Sequence, residues 1–388
     1  PKANNNKYYE MKDNGDGTFT ASYGRQGANP QTRTYPIHQW DKKYKEKLSR
    51  TKGYKDITHT KQTTTTTTSK QEYKEIEHPE ISSLFDKLMS QSKMQIASNY
   101  TITTASVTQH QINESQRLID ELAWLPSGFN GNKQETINER LVELFHIMPR
   151  KMKQVREYLW QDTDRNSLAK IITREQDLLD TMVTQVGIVH SHDEGEDIDS
   201  EHTLLDFLGV TVEHVTDNNI IHTVQDMMDH DRYKLKRLFK VNDSIMDEKL
   251  KQHLTTTSNH QQQLLWHGSR TENILSILHK SLMIRPSNAQ KQGDAFGKGN
   301  YFARKYAKSE NYTSIYRSFH AQGSDDIAYI FLFNVHVGLQ KIVHTGDSSL
   351  CYDGIRHQGY DSVWAKAGQR LLNDEYIVYN PQQSTVRF

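Results

Sequence analysis

The sequence predicts a multi-domain α+β chain: a small β-rich module, an all-α helical bundle and a C-terminal α+β domain, in that order. Three observations predict this. Turn dipeptides and alternating residues crowd the first 56 positions. Apolar residues then recur at three- and four-residue spacing from Pro79 to about Val186. After Leu204 the texture changes to β-branched and aromatic runs. The chain has 388 residues, enough for two or three domains.

Each element has its own signal. The stretch KDNGDGTFTASYGRQG carries Asn-Gly and Asp-Gly turn pairs before the alternation from Thr18 to Tyr23, which reads as a hairpin. TRTYPI reads as a further strand. Ile37, Trp40, Tyr44 and Leu48 fall at helical intervals, which predicts a helix with an apolar stripe packed in the core and a lysine-rich outer face. Six consecutive threonines, Thr63–Thr68, have no apolar period, so residues 61–78 are expected to be a flexible linker. QRLIDELAWL, TINERLVELFHI and LAKIITREQDLLDTMVTQV predict antiparallel helices, punctuated by Pro126 and Pro149. HSHDEGEDIDSEH, residues 190–202, reads as a solvated acidic loop, and its spacing does not match a calcium loop. IAYIFLFNVHVGL and DEYIVYN predict strands, with a helix over TENILSILHKSLMI.

Composition narrows the function classes. No run of 18 apolar residues exists, so no membrane span is expected. A single cysteine, Cys351, excludes intramolecular disulfides and cysteine-based zinc sites, and fits a reducing compartment. The formal net charge of zero hides an asymmetry. Residues 1–75 hold 15 Lys and Arg against 8 Asp and Glu, whereas residues 80–215 hold 12 against 22. A basic front module suggests a polyanion partner, and an acidic middle module does not.

Three segments of the last domain carry the chemistry. An apolar run leads straight into His267 and Gly268 in LLWHGS. FGKGNYFARKYAKSENY extends from Phe296 to Tyr312. LLNDEYIVYN places Glu375 at a strand entrance. Taken singly, each has an ordinary reading: a structural histidine, a turn, a solvated carboxylate. No Gly-x-Gly-x-x-Gly fingerprint precedes a βαβ unit, which argues against a dehydrogenase.

Together, and in this order, the three segments resemble the poly(ADP-ribose) polymerases, members of the ADP-ribosyltransferase superfamily. The resemblance implies a His-Tyr-Glu triad at His267, Tyr301 and Glu375. It implies NAD as a consumed substrate, with no cofactor and no metal required. Glu375 is expected to stabilise positive charge on the nicotinamide ribose and to orient the acceptor hydroxyl. His267 is expected to hold the adenosine ribose, and Gly268 to bind the nicotinamide carboxamide through its backbone, its missing Cβ allowing close approach. Ser309 is expected on the same carboxamide, and Tyr301 and Tyr312 on either face of the nicotinamide ring. Ser269, Asn273 and Arg285 match family positions near the adenosine half, and Lys308 lies beside the triad.

The front and middle of the chain share the resemblance. Residues 1–60 look like a WGR domain, the module that engages DNA ends. Residues 79–204 look like the helical regulatory domain, and residues 205–388 like the ADP-ribosyltransferase catalytic domain. The implied partners are DNA strand breaks, which serve as activator, and acceptor proteins including the chain itself, with no membrane. The implied location is nuclear, or nucleoid-associated and cytoplasmic if the source is bacterial. Departures from the family pattern are Tyr23 where the WGR motif has tryptophan, beside Arg25, and Ala295 and Asn373, where methionine and tyrosine are common. Tyr23 and Arg25 are the expected DNA contacts, with strand packing the alternative for Tyr23. The other two departures leave poly- and mono-ADP-ribosylation open as products.

Overall fold

The computed structural model describes residues 7–25, 30–49, 52, 54, 73–124, 133–161, 165–191, 202–284, 295–368 and 371–388. The chain divides into two compact units, one of Pro1–Ser69 with Ile96–Leu179, the other of Lys70–Gln95 with Asp180–Phe388.

The first unit opens with β1 (Lys7–Asp13), β2 (Thr18–Arg25) and β3 (Gln31–Pro36), an antiparallel sheet in that order. The Asn-Gly and Asp-Gly pairs make the β1–β2 turn, where Asp13 and Asp16 side chains accept backbone N–H groups of Gly15 and Thr18 at 2.9 Å. Phe19 is fully buried and meets Tyr35 and Trp40 at 5.4 and 5.1 Å between ring centroids. Helix α1 (Trp40–Leu48) carries no buried residue. The stripe expected in the core is therefore largely at the surface: Ile37, Tyr44 and Leu48 are each more than a third exposed. Trp40 of that stripe meets buried Phe19, but a three-stranded sheet with one short helix has too little surface to cover a full helical face.

Helix α2 (Pro79–Asn99) begins in the second unit, and its last residues belong to the first. Helices α3 (Gln109–Trp124), α4 (Lys133–Ile147) and the N-terminal part of α5 (Arg165–His190) complete the first unit. The spacing read from the sequence is the buried face: Leu118, Ile119, Leu122, Ile137, Leu141, Leu178 and Leu179 are almost wholly enclosed. Among them lies an ion pair, Arg150–Glu175, at 2.5 Å with side chains 1% and 4% exposed. Arg150 also donates to the backbone and side-chain oxygens of Asn99, both at 3.2 Å, and lies over the Tyr100 ring.

The second unit holds the rest. Residues 73–78, assigned to the linker from sequence, are bonded into it. Tyr73 Oη lies 2.7 Å from Ser191 Oγ, and the Lys74 N–H donates to His202 C=O at 2.9 Å. The low-complexity signal said nothing of these contacts; the threonine tract and most of 190–202 lie outside the described residues. Next come α6 (Leu204–Leu208), β4 (Val210–His214), α7 (Asn218–Met227), β5 (Phe239–Asp243) and α8 (Ser244–Leu254). β6 (Gln262–Gly268), α9 (Ile274–Lys280), β7 (Asn300–Phe302), α10 (Tyr306–Glu310), β8 (Ile330–His336) and β9 (Gln340–Val343) follow. The chain closes with α11 (Tyr352–His357), β10 (Ser362–Ala365), β11 (Glu375–Val378) and β12 (Ser384–Val386).

Two sheets frame this unit, with strand orders β7-β11-β10-β9 and β12-β8-β6. A bridge joins them: Trp266 and Ala303 exchange backbone hydrogen bonds of 2.8 and 2.9 Å. β11 is buried on both faces. Tyr376 and Val378 enter a core with Leu265, Phe333 and Val335, while Ile377 and Tyr379 enter another with Phe296, Val363 and Ala365. Ile81, Phe85 and Leu88 of α2 and Ile188 of α5 join the first of these cores.

Candidate active site

The expected triad residues lie on three adjoining strands: His267 near the end of β6, Tyr301 in β7 and Glu375 at the start of β11. In the β7–β11 ladder Tyr301 lies opposite Ile377. Glu375 is two residues from Ile377, so Glu375 and Tyr301 project from the same face of the sheet. His267 Nδ1 lies 2.9 Å from the Tyr301 carbonyl. A carbonyl only accepts, so Nδ1 carries a proton, and in the neutral form of the ring Nε2 is then the acceptor end. Phe302 and Phe333 flank that ring.

Helix α10 wedges between the end of β6 and the start of β11. Its Lys308 Nζ meets Glu375 Oε1 at 2.5 Å and donates to Asn373 C=O at 3.2 Å. Both ends of the ion pair are mostly buried, 15% and 12% exposed. The Ser309 hydroxyl donates to Trp266 C=O at 3.1 Å. A Cβ on Gly268 would stand 1.8 Å from the Ser309 carbonyl oxygen. The space freed by this glycine is therefore filled by α10, a packing requirement that the sequence reading had given to the ligand alone.

Tyr301 Oη donates to Gly297 C=O at 2.6 Å and accepts from the Phe296 N–H at 3.2 Å. Gly297 has φ of +78°, and a Cβ there would stand 1.9 Å from Leu350 C=O, so both conformation and room require glycine. Beside the triad, Asp374 accepts from Trp364 Nε1 at 2.8 Å and from the Ala367 N–H at 2.7 Å. Burial opposes its charge, but these donors outweigh it and hold its carboxyl below the usual range.

Asn273 donates to Ser269 Oγ at 3.3 Å in the turn after β6. Arg285 lies outside the described residues. Tyr312 follows α10. Burial raises its phenol above the ordinary value, and the Glu375 carboxylate raises it further, which sets the two side chains in one electrostatic neighbourhood. The sequence reading missed His320, whose ring stacks on Tyr312 at 4.3 Å and 15°. It sits in a loop without periodicity, and its chain position carried no signal. In the first unit Tyr23 lies opposite Tyr9 in the β1–β2 ladder and stacks on it at 5.7 Å, while Arg25 ends β2 opposite Lys7. Among the described residues, no group of three or more His, Cys, Asp or Glu could hold a metal ion, and no helix is long and apolar enough to cross a membrane.

The model of the poly(ADP-ribose) polymerase catalytic domain matches residues 217–370, which include His267 and Tyr301 and end short of Glu375. Uncharacterized protein 101L of Invertebrate iridescent virus 6 is 31% identical over 183 residues, 47% of this chain and 73% of that protein. The poly [ADP-ribose] polymerase-like protein 100L of the same virus is 31% identical over 178 residues, 44% of this chain and 93% of that protein. Poly [ADP-ribose] polymerase 1 of Gallus gallus is 38% identical over 153 residues, 33% of this chain but only 14% of its own length. A mixed α and β catalytic unit with these likenesses defines an enzyme that transfers ADP-ribose from NAD. The chain belongs to the poly(ADP-ribose) polymerase family.

Proposed function

We propose that this transferase is a DNA-break-activated poly(ADP-ribose) polymerase, with residues 1–60 as its DNA-end module and residues 79–204 as its regulatory domain. The observation that carries the catalytic part is the Glu375 carboxylate, held by Lys308 on the same sheet face as Tyr301. As the nicotinamide–ribose bond breaks, positive charge grows on the ribose, and a fixed carboxylate in a mostly dry setting stabilises it. Glu375 takes that role and then orients the acceptor hydroxyl. His267, whose Nδ1 proton is committed to the Tyr301 carbonyl, offers Nε2 to a hydroxyl of the adenosine ribose. Tyr301 and Tyr312 hold the nicotinamide ring, Gly268 and Ser309 its carboxamide, and Ser269 and Asn273 lie toward the adenosine half. NAD is consumed as substrate, and the reading calls on neither cofactor nor metal.

The DNA part rests on charge and rings. Residues 1–75 carry a net excess of seven positive charges. Lys43 and Arg33 lie over the Tyr35 ring, and Lys47 over Tyr9, 4.1 Å from its centroid. Cations interleaved with half-buried rings suit phosphates and terminal bases. Tyr23 and Arg25 are the proposed contacts, with the Tyr9 stack supporting Tyr23. Binding a break then shifts the regulatory helices away from a conformation that limits NAD entry. The acceptors are nearby proteins and the chain itself, and the location that follows is nuclear, or nucleoid-associated and cytoplasmic in a bacterium.

A second reading, transfer of single ADP-ribose units to protein or to DNA ends, is favoured by Asn373. Its carbonyl accepts from Lys308 Nζ at 3.2 Å. Labelled NAD with and without nicked 5′-phosphorylated DNA, resolved by gel, tests both readings. Polymerase action gives a ladder that rises at least tenfold with DNA; a single sharp band selects the second reading, and no response to DNA removes the activation. In the same assay Glu375→Gln is expected to lose about 10³-fold in kcat, and wild-type turnover in that variant refutes the site.

A further inference from the structure

The loop after α10 is built around Asn311. Its carbonyl accepts from the His320 and Ala321 N–H groups at 3.0 and 3.2 Å, and its side-chain oxygen from Phe319 N–H at 3.1 Å. The outgoing and returning strands of the loop are tied by Tyr316 N–H to Asp325 C=O at 2.7 Å and Asp325 N–H to Ser314 C=O at 3.0 Å. Ser314 Oγ in turn accepts from the Thr271 N–H at 2.9 Å, anchoring the loop to the turn that follows β6. Two residues other than glycine, Arg317 and Gln322, adopt positive φ to close it. Backbone strain of this kind persists only where the surroundings fix it. This loop sets His320 beside Tyr312: the imidazole lies flat on the phenol ring, and Phe319 meets His320 edge-on at 4.9 Å and 87°.

Tyr312 needs such a partner. It follows a five-residue helix, the residue is 38% exposed, and its N–H donates to Ser309 C=O at 3.1 Å. A half-exposed ring in that position samples several rotamers unless one face is packed. We infer that His320 is a positioning residue for the nicotinamide half of the donor site: by stacking on one face of Tyr312 it fixes the plane of the other. This rests on the reading of Tyr312 as a nicotinamide contact. The charge of the imidazole fits the role. Burial, and then the Lys308 ammonium, hold its pKa below the ordinary value, with Glu375 acting the other way. A neutral ring packs against Tyr312 without adding positive charge to a site where positive charge develops.

Steady-state kinetics of the full chain, with saturating nicked DNA and again without DNA, test this. His320→Ala is expected to raise both KM for NAD and the inhibition constant of free nicotinamide by about 3- to 10-fold. Its kcat should stay within about twofold, because only binding geometry is lost. His320→Phe, which keeps a flat ring, should restore both constants. In a Tyr312→Ala background, His320→Ala should add no further effect, since it acts through that ring. Unmoved constants in His320→Ala, a fall in kcat alone, failure of His320→Phe to restore them, or additive effects with Tyr312→Ala each overturn the inference. Glu375→Gln is measured alongside. Lost turnover there with an unmoved His320→Ala rejects only the positioning role, whereas retained turnover rejects the site on which it rests.

Discussion

Two ion pairs, one in each unit, are made of the same charges and serve different ends. Arg150–Glu175 is sealed among helices; its guanidinium also bonds Asn99 and covers Tyr100, so its surroundings take up the donors that face them. Burial nevertheless pushes the Glu175 carboxyl up, with Arg150 only partly offsetting it. Lys308–Glu375 keeps both ends slightly open to solvent, at the entrance of a strand rather than within a bundle. The first pair fixes how helices meet. The second holds the Glu375 carboxylate at a strand entrance with both ends still reached by solvent. A charge pair is structural when its neighbours satisfy it, and available for chemistry when one side stays open.

The largest expected effect comes from breaking the sealed pair. Arg150→Met strands a buried carboxylate and should cost about 3–5 kcal/mol, read as a lower urea midpoint. Adding Glu175→Leu should recover most of it. If the single variant melts like wild type, the pair does not organise the helices.

A second buried polar pair sharpens the contrast because it answers to pH. His336 Nε2 donates to Asn259 C=O at 2.6 Å, so its Nδ1 accepts from His253 Nε2–H at 3.2 Å. Burial, then its partner's charge, pushes His253 down to about 4, and burial lowers His336 as well. The unfolded chain thus binds protons more readily than the folded one. The stability this pair contributes is complete above about pH 6.5 and is lost as pH falls toward 4, on the order of 3 kcal/mol. Urea midpoints at pH 7 and pH 4 measure it, and His253→Leu should flatten the dependence.

The open pair gives the smallest change in folding. Lys308→Met should lower kcat by about 10²-fold, with a stability loss below the roughly 3–5 kcal/mol of breaking the sealed pair. A large loss of stability with little loss of rate would make this pair structural like the first.

Much of this was legible in the sequence. The hairpin followed from turn dipeptides, and the helices from their apolar spacing, because local rules govern both. Two of the three segments that carry the family resemblance were legible as strands, because one ends an apolar run at His267 and another begins one at Glu375; the three-residue strand at Tyr301 has no apolar run to mark it. The stripe on α1 was misread, since periodicity marks a face but not whether anything covers it. Gly268 was seen as a ligand contact, whereas its tightest neighbour is Ser309, 41 positions along the chain. His320 was invisible for a related reason: a stacking partner in an irregular loop leaves no periodic trace. The linker's end was misplaced because the bonds that fix Tyr73 and Lys74 run to residues more than a hundred positions away.

The bridge between Trp266 and Ala303 has a mechanical consequence. It clamps the histidine-bearing strand to the chain just past Tyr301, so β6 and the end of β7 are tied by backbone hydrogen bonds and not by side chains. Drawing His267 away from Tyr301 would therefore unzip the join between the two sheets.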